Sequence, residues 1–230
     1  MAKSVINVEL ADAGAKAARP VEIDRLIIAG WTGRDVAALE KHIKELEELG
    51  VARPASTPIF YRCSAARVTT AETIEATGEQ SSGEVEYVLM GHGGRLWVGV
   101  GSDHTDRQVE TYGVTVSKQM CDKPVASAFW LFDDVASHWD QLILRSFIDE
   151  DGERKLYQEG PVTAMRPPLD LIERSGVGAA LPDGTIMFCG TLAAKGGIRP
   201  APRFIFELED PVLGRKITHS YAIETLPVLG

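Results

Sequence analysis

The feature that constrains the fold most is a pair of apolar segments joined by a short glycine turn. Residues 84–90 and 95–101 are rich in valine, leucine and other strand-forming side chains, and His92, Gly93 and Gly94 lie between them. Because glycine adopts the positive φ angles of a tight turn at little steric cost, the pattern predicts an antiparallel β-hairpin. We therefore expect a fold rich in β-strands around this hairpin.

Short apolar runs between connectors that contain glycine or proline recur along the rest of the chain. They predict further strands at residues 5–10, 21–29, 59–61, 125–131, 142–148 with 155–158, 185–189, 203–208 and 216–223. The apolar stretch 126–132 favours a buried strand over a dimer contact. The polar segment 69–83 predicts a loop with room for a short turn of helix.

Helical periodicity is confined to a few places. Apolar residues recur at helical intervals through residues 32–49, where Thr32 is the expected N-cap and Gly50 the expected stop. Residues 105–112 predict an exposed helical turn, and residues 161–176 predict a helix that Pro167 and Pro168 kink or delay. The sequence thus predicts a mostly β, α+β fold with a few peripheral helices.

Bulk properties narrow the class of protein. With 230 residues, 44% of them hydrophobic, the chain suits one domain spanning residues 1–230. A net charge of -9 argues against a nucleic-acid or anionic-membrane surface and favours a small solute or a protein as partner. The N-terminus lacks signal-peptide features, no stretch approaches the roughly 20 apolar residues of a membrane span, and the three scattered cysteines fit reduced thiols. We expect a cytoplasmic protein.

Three carboxylates form the strongest candidate site. Glu84 and Glu86 are two residues apart on a predicted strand, so their side chains share one face, and Asp103 follows the next strand. A solvent-exposed strand face would produce the same glutamate pair. Three oxygen donors from adjacent strands are also what a hard cation such as Mg²⁺, Mn²⁺ or Ca²⁺ binds. The residues alone leave both interpretations open.

The order of motifs resembles the fumarylacetoacetate hydrolase superfamily, and within it a divergent bacterial branch similar to DUF2848. The E-x-E of Glu84 and Glu86 is followed by a D-x-T-x-R segment, Asp103 to Arg107, and then by Lys118. The later similar stretches are residues 151–160 with Met165, residues 181–186, and Gly190-Thr191 before a Gly-rich turn. The resemblance extends from about residue 28 to about residue 226.

This resemblance implies a fold and a set of roles. The fold would be a mixed β-sheet or β-roll core in residues 51–230, preceded by strands and a lid-type helix in residues 1–50. Glu84, Glu86 and Asp103 would hold Mg²⁺ or a similar ion, and Lys118 with the Gly190-Thr191 turn would hold substrate oxygens. Arg107 would either meet the substrate or pair with Asp103 or Asp106 and support the metal ligand. Members of the superfamily commonly form homodimers, so a homodimer is expected.

The resemblance also points to a catalytic base. His42 and Glu45 are three residues apart on the predicted helix and share a face, and family members activate water with a His and Glu on a lid helix. An ordinary solvent-exposed helix face would carry the same residues. The expected activity is metal-dependent hydrolysis of a C–C bond in an acylpyruvate-like acid. A lyase or isomerase acting on a 2-keto acid, or a ligand-binding protein without catalysis, remains an alternative.

Two departures from the family pattern bear on the site. The segment between Glu86 and Asp103 is shorter than usual, which would reshape the rim of the site. The Gly190-Thr191 turn lacks the proline that commonly follows the threonine, which affects its expected anion contacts.

Overall fold

Strands dominate the computed structural model, which describes residues 3–12, 15–48 and 53–229. The longer strands are β1 Ser4–Asp12, β2 Ala15–Ile23, β3 Arg25–Gly30, β4 Ile59–Cys63, β6 Thr73–Thr77, β8 Val85–His92, β9 Arg95–Ser102, β12 Ala128–Leu131, β13 Ile143–Glu150, β14 Glu153–Pro161, β15 Thr185–Thr191, β16 Arg203–Asp210 and β17 Arg215–Leu226. The two-residue strands are β5 Val68–Thr69, β7 Ser81–Ser82, β10 Thr105–Asp106 and β11 Lys123–Pro124.

The helices are few and short. They are α1 Val36–Glu48, α2 Arg107–Tyr112, α3 Val114–Met120, α4 Phe132–Val135 and α5 Pro168–Arg174, with 3-10 turns at Ala65–Arg67, Ala136–Gln141 and Val162–Ala164. Among the described residues, no helix combines the length and the apolar character needed to cross a membrane.

Two large sheets organise the molecule. The first has eight strands in the order β2-β1-β12-β9-β8-β15-β3-β4, and the second has five in the order β14-β13-β16-β17-β6. One apolar core contains side chains from both sheets, whereas a second core is lined by the eight-stranded sheet. Because β8 and β9 lie in the middle of the larger sheet, residues at their ends are held by neighbours on both sides. This mixed-sheet architecture confirms the predicted mostly β, α+β fold.

The predicted central hairpin is confirmed. β8 and β9 pair antiparallel with Glu86 opposite Gly101, and Gly93 and Gly94 make the turn with φ angles of +63° and +67°. Along β8, Val85 and Tyr87 enter the first core while Val88 and Met90 enter the second. Glu86 therefore shares the face of Val88 and Met90, since side chains alternate along a strand.

Other strand predictions hold with changed boundaries. The predicted strand 21–29 is two strands, because the Asp24 N–H bonds to the Gly184 carbonyl and breaks the ladder between them. The apolar stretch 126–132 contains the buried strand β12, as favoured. The predicted loop 69–83 is wrong in part: Thr73–Thr77 forms β6, whose Ile74 and Ala76 are buried by parallel pairing with β17.

The helix predictions hold in part, and two points need correction. Thr32 is not an N-cap, because its hydroxyl donates to the Cys189 carbonyl at 3.0 Å; Asp35 caps α1 by accepting from the backbone of residues 37 and 38. The helix predicted at 161–176 begins only at Pro168, as a late start, with a separate 3-10 turn before it. Helix α3 was not predicted, and its buried face carries Ser117 and Lys118.

Candidate metal centre

The central hairpin brings the three carboxylates together. Glu84 immediately precedes β8, Glu86 lies in β8, and Asp103 immediately follows β9, so all three stand at the open end of the hairpin. The Asp103 N–H donates to the Glu84 carbonyl at 3.0 Å, which extends the ladder to the two residues outside it. Each residue offers a carboxylate oxygen within 4.8 Å of the others. The arrangement is a compact cluster of oxygen donors.

Glu86 is the more deeply buried of the two glutamates. Its side chain is buried, and one carboxylate oxygen accepts from the Gly190 N–H at 2.7 Å. Burial and the negative charges of Asp103 and Glu84 raise the pKa of Glu86 well above its ordinary value, although Lys118 and the Gly190 N–H oppose this shift. Further positive charge at this position would stabilise Glu86 as an anion.

Asp103 is fully buried between two lysines. Lys118 Nζ lies 2.5 Å from Asp103 Oδ2, and Lys123 Nζ lies 3.1 Å from Asp103 Oδ1 without hydrogen-bond geometry. Burial raises the pKa of Asp103, but the two ammonium groups lower it by more, and the net result is a lowered pKa. Asp103 is therefore held in the ionised form that a metal ligand needs.

Arg107 supports Glu84, which corrects the partners predicted for it. Its guanidinium lies 3.2 Å from Glu84 Oε1 and 3.0 Å from Glu110 Oε2, and its Nε donates to Ser82 Oγ at 2.7 Å. Asp106 instead caps α2 by accepting from the Val109 N–H at 2.9 Å. Of the two roles expected for Arg107, the supporting one therefore has a geometric basis, through Glu84 rather than Asp103 or Asp106.

Lys118 projects from α3 towards the carboxylates. Its ammonium contacts Asp103 and lies 3.5 Å from Glu84 Oε2, and the side chain is almost fully buried. Burial lowers the pKa of Lys118, but Asp103, Glu84 and Glu86 together raise it far above its ordinary value. The group is a permanent cation at the edge of the cluster, suited to an anionic ligand.

The Gly190-Thr191 turn lies beside Glu86. Gly190 has a φ of +97°, and a Cβ there would stand 1.8 Å from Thr32 Oγ1, so only glycine fits. The Thr191 hydroxyl donates to the Val85 carbonyl at 2.8 Å. The turn thus joins the carboxylate cluster to the segment that leads into α1.

Gln158 is a buried residue that sequence reasoning did not single out. Its carbonyl oxygen accepts from the Val85 N–H and the Ser146 hydroxyl at 3.0 and 2.9 Å. Its amide donates to Thr191 Oγ1 at 2.9 Å and to the Leu192 carbonyl at 2.6 Å. Gln158 therefore fixes both the start of β8 and the Gly190-Thr191 turn. The available signal was its place in the 151–160 stretch of the family resemblance.

The structure does not describe the side chains of the proposed catalytic pair. His42 and Glu45 belong to α1, and their side chains lie outside the part of the chain that the structure describes. The segment before this helix is anchored, since the Arg34 N–H donates to the Ala164 carbonyl and the Arg166 N–H donates to the Thr32 carbonyl. The start of α1 is consequently tied to the neighbourhood of Gly190.

Two other histidines have partners that the sequence did not reveal. The ring nitrogens of His104 bond to Tyr221 Oη and Ser81 Oγ at 2.9 Å each, so neither nitrogen is free to bind a metal ion. Burial, with Lys123 and Arg107 nearby, lowers the pKa of His104 to about 3, so the ring is neutral. His138 pairs with Asp210 at 3.0 Å, away from the three carboxylates in the fold.

The donor set fits a hard divalent cation. Three carboxylates with oxygens within 4.8 Å of one another are the ligands that Mg²⁺, Mn²⁺ and Ca²⁺ prefer. Asp103 Oδ1 is buried without a hydrogen-bond donor among the described residues, and Glu86 accepts from the Gly190 N–H. Glu84, Glu86 and Asp103 are therefore the residues that would hold such an ion.

Comparison with known protein families identifies a family for most of the chain. Residues 29–221 match the family model described as "Protein of unknown function (DUF2848)". A search of curated proteins finds no significant match.

Solved structures share this fold. The yeast protein ynq8, described as a fumarylacetoacetate hydrolase family protein, superimposes with a TM-score of 0.65 at 16% identity, over 90% of this chain and 95% of that one. A 2-keto-3-deoxy-D-arabinonate dehydratase complexed with magnesium and 2,5-dioxopentanoate superimposes with a TM-score of 0.65 at 14% identity, over 94% of this chain and 79% of that one. Cg1458 superimposes with a TM-score of 0.62 at 15% identity, over 94% of this chain and 83% of that one. The predicted resemblance in fold is confirmed.

Proposed function

Because the chain belongs to the DUF2848 family and has the fold of fumarylacetoacetate hydrolase family proteins, we propose that it is a divalent-metal-dependent enzyme acting on a small keto acid. The specific activity that we propose is hydrolysis of a C–C bond in an acylpyruvate-like, 1,3-diketo acid. Mg²⁺ is the proposed ion, with Mn²⁺ or Ca²⁺ as alternatives.

The observation that carries this proposal is the cluster of Glu84, Glu86 and Asp103 at the end of the central hairpin. A dehydratase of the same fold is complexed with magnesium and a dioxo acid, which supports a metal and a keto acid as ligands of this fold. When bound, the cation would supply Lewis-acid stabilisation of the negative charge that develops on a keto oxygen.

The surrounding residues would bind and orient the acid. Lys118 offers a buried ammonium group to a substrate carboxylate or keto oxygen. Thr191 would exchange its bond to the Val85 carbonyl for one to a substrate oxygen, and Gly190 keeps the turn close to Glu86. Arg107 would hold Glu84 in place through their 3.2 Å contact. The charge and geometry of these groups suit a small anion.

We assign the proton transfer from water to His42 and Glu45 on α1. A general base must reach the attacking water within hydrogen-bond distance, directly or through one water. The anchoring of the segment before α1 against residues 164–166 supports a helix that stays near the site. The pair would take a proton from the water that attacks the distal carbonyl of the diketo acid.

A second candidate is a lyase or isomerase acting on a 2-keto acid, such as an oxaloacetate-type decarboxylase or an enoate hydratase. The dehydratase with the same fold favours it. The same carboxylates and Lys118 would serve this reaction, since it also develops charge on a keto oxygen. A ligand-binding protein without catalysis is the third candidate.

Two variants separate these candidates. Glu84→Ala and Glu45→Ala would be titrated with Mn²⁺ and assayed against a panel of acylpyruvates and oxaloacetate. We expect Glu84→Ala to lose both metal binding and turnover and Glu45→Ala to lose turnover alone. Glu75→Ala, a carboxylate on the exposed face of β6, is the matched control and should change neither.

The results discriminate clearly. Unaltered Mn²⁺ affinity in Glu84→Ala would refute the metal site. Turnover that persists in Glu45→Ala would remove the assigned base and favour the lyase, and metal binding without any turnover in the unmodified protein would favour a binding protein. We also propose a homodimer, as the family resemblance implies, and light scattering would test it.

A further inference from the structure

Lys123 is a buried cation that the proposed reaction does not use. Its side chain is 0% exposed, and its ammonium donates to the His104 carbonyl at 2.6 Å and lies 3.1 Å from Asp103 Oδ1. Burying a lysine is costly unless an opposite charge and hydrogen bonds compensate it. The position of Lys123 against a candidate metal ligand therefore calls for an electrostatic explanation.

The surroundings of Lys123 fix the position of its ammonium group. Lys123 lies in the two-residue strand β11, which pairs with β5, and its register partner is Val68. Two other cations, Lys118 and Arg107, each contact Glu84 from helices at the edge of the cluster. Among the three carboxylates, Lys123 has an ion-pair contact with Asp103 alone. Lys123 is thus a buried ion-pair partner of Asp103.

Positive charge at this position opposes a bound cation. Two like charges a few Å apart repel each other, even where the surroundings screen part of the interaction. The same charge stabilises the protein without metal, because it compensates the buried Asp103 carboxylate. The two effects act in opposite directions on the metal-free and metal-bound states.

We propose that Lys123 is an internal counter-ion of Asp103 that keeps the metal-free protein stable and sets a weak affinity for the divalent cation. This inference rests on the proposed metal site. Lys123 and the cation share Asp103, so each reduces the stabilisation that the other provides, and the coupling is reciprocal. A lysine with a purely packing role would affect stability equally with and without metal.

The test is a thermodynamic cycle between Lys123 and Mn²⁺. Lys123→Met keeps most of the length of the side chain and removes its terminal ammonium group. Mn²⁺ affinity would be measured by titration calorimetry, and the melting temperature would be measured with and without saturating Mn²⁺. We expect the variant to melt at a lower temperature without metal, to bind Mn²⁺ about tenfold more tightly, and to gain more in melting temperature from Mn²⁺ than the unmodified protein does.

Lys216→Met is the matched control. Lys216 also lies beside a carboxylate, 2.9 Å from Glu207, but on the five-stranded sheet and partly exposed. Its replacement should leave Mn²⁺ affinity unchanged. Failure of the unmodified protein to bind Mn²⁺ would refute the metal site itself, whereas unchanged or weaker binding by Lys123→Met in the presence of normal binding by the unmodified protein would overturn this inference alone.

A second pair of variants covers the case in which Lys123→Met does not fold. Asp103→Asn leaves Lys123 without its counter-ion, so adding Lys123→Met should raise the melting temperature of that variant. A lower melting temperature in the double variant would show that Lys123 contributes packing rather than charge, and would overturn the inference.

Discussion

Gly190 has no room for a side chain, because Thr32 Oγ1 lies 1.8 Å from the position that a Cβ would take. Its φ of +97° adds backbone strain for any other residue. We expect Gly190→Ala to lower the free energy of unfolding by about 2–4 kcal/mol, measured by urea unfolding.

Gly93→Ala separates the two contributions. Gly93 also has a positive φ, of +63°, but nothing lies within 4 Å of its Cβ position. The free energy of unfolding of Gly93→Ala should fall by only about 1 kcal/mol, from backbone strain. Equal losses in the two variants would show that the contact with Thr32 contributes nothing.

Gln158 is a second residue whose role depends on distant neighbours. Gln158→Leu would leave the Val85 N–H without its acceptor and would free Thr191 Oγ1 and the Leu192 carbonyl. Because buried polar groups left without partners cost about 1–3 kcal/mol, we expect a loss of about 2–3 kcal/mol in urea unfolding. Gln119→Leu is the control: Gln119 is exposed and donates one bond to the Arg62 carbonyl, so a comparable loss there would contradict the explanation.

At the level of elements, the start of α1 depends on one cap. Asp35 Oδ1 accepts from the Ala37 and Ala38 N–H groups at 2.9 and 3.0 Å. Asp35→Ala should therefore reduce the stability of the helix by about 1 kcal/mol, whereas Asp35→Asn should retain the cap. Hydrogen exchange in residues 36–48 would measure the change, and equally fast exchange in the two variants would contradict the assignment.

Strand predictions were most successful where the pattern is local. The β8–β9 hairpin could be predicted because its turn and its apolar runs lie within a few residues of one another. β6 could not, because Thr73–Thr77 is polar at alternate positions and becomes a strand by parallel pairing with β17, about 150 residues later in the chain. Helix α3 has only seven residues, too few to show a clear helical period, so its role in positioning Lys118 was also hidden.

At the level of the whole molecule, Asp210 joins the Ala136–Gln141 turn to the second sheet. It accepts from His138 and Arg215 and from the Leu213 N–H. Burial raises the pKa of Asp210, but the Leu213 N–H, His138 and Arg215 lower it more, so its pKa is below the ordinary value. The ionised form is the one that stabilises the fold.

The sign of the pH dependence follows from this lowered pKa. The stabilisation is fully present above the ordinary carboxyl pKa of about 4 and is lost as the pH falls through the lower pKa of the folded state. We expect Asp210→Asn to be less stable by about 1–3 kcal/mol at pH 7, with a difference that shrinks below pH 4. Urea unfolding from pH 7 to pH 3 would measure it, with the exposed Asp133→Asn as control, and a difference independent of pH would contradict the prediction.

As with the elements, some residues of the candidate site could be predicted from local sequence patterns and others could not. Glu84, Glu86 and Asp103 could be associated from sequence, because an E-x-E pair shares one face of a strand and a hairpin returns the chain beside it. Lys123, Gln158 and the partners of Arg107 could not, since their contacts join segments that no local pattern relates.

The sequence by itself determined the mostly β class of the fold, its central hairpin and the carboxylates at the end of that hairpin. These depend on side-chain alternation and turn chemistry, which act between near neighbours in the chain. The tertiary structure alone decided that Asp103 lies between two buried lysines and that Gln158 fastens Thr191 to β8. The reason is physical: the order of strands in the two sheets sets these contacts, and that order results from packing the whole chain around two apolar cores.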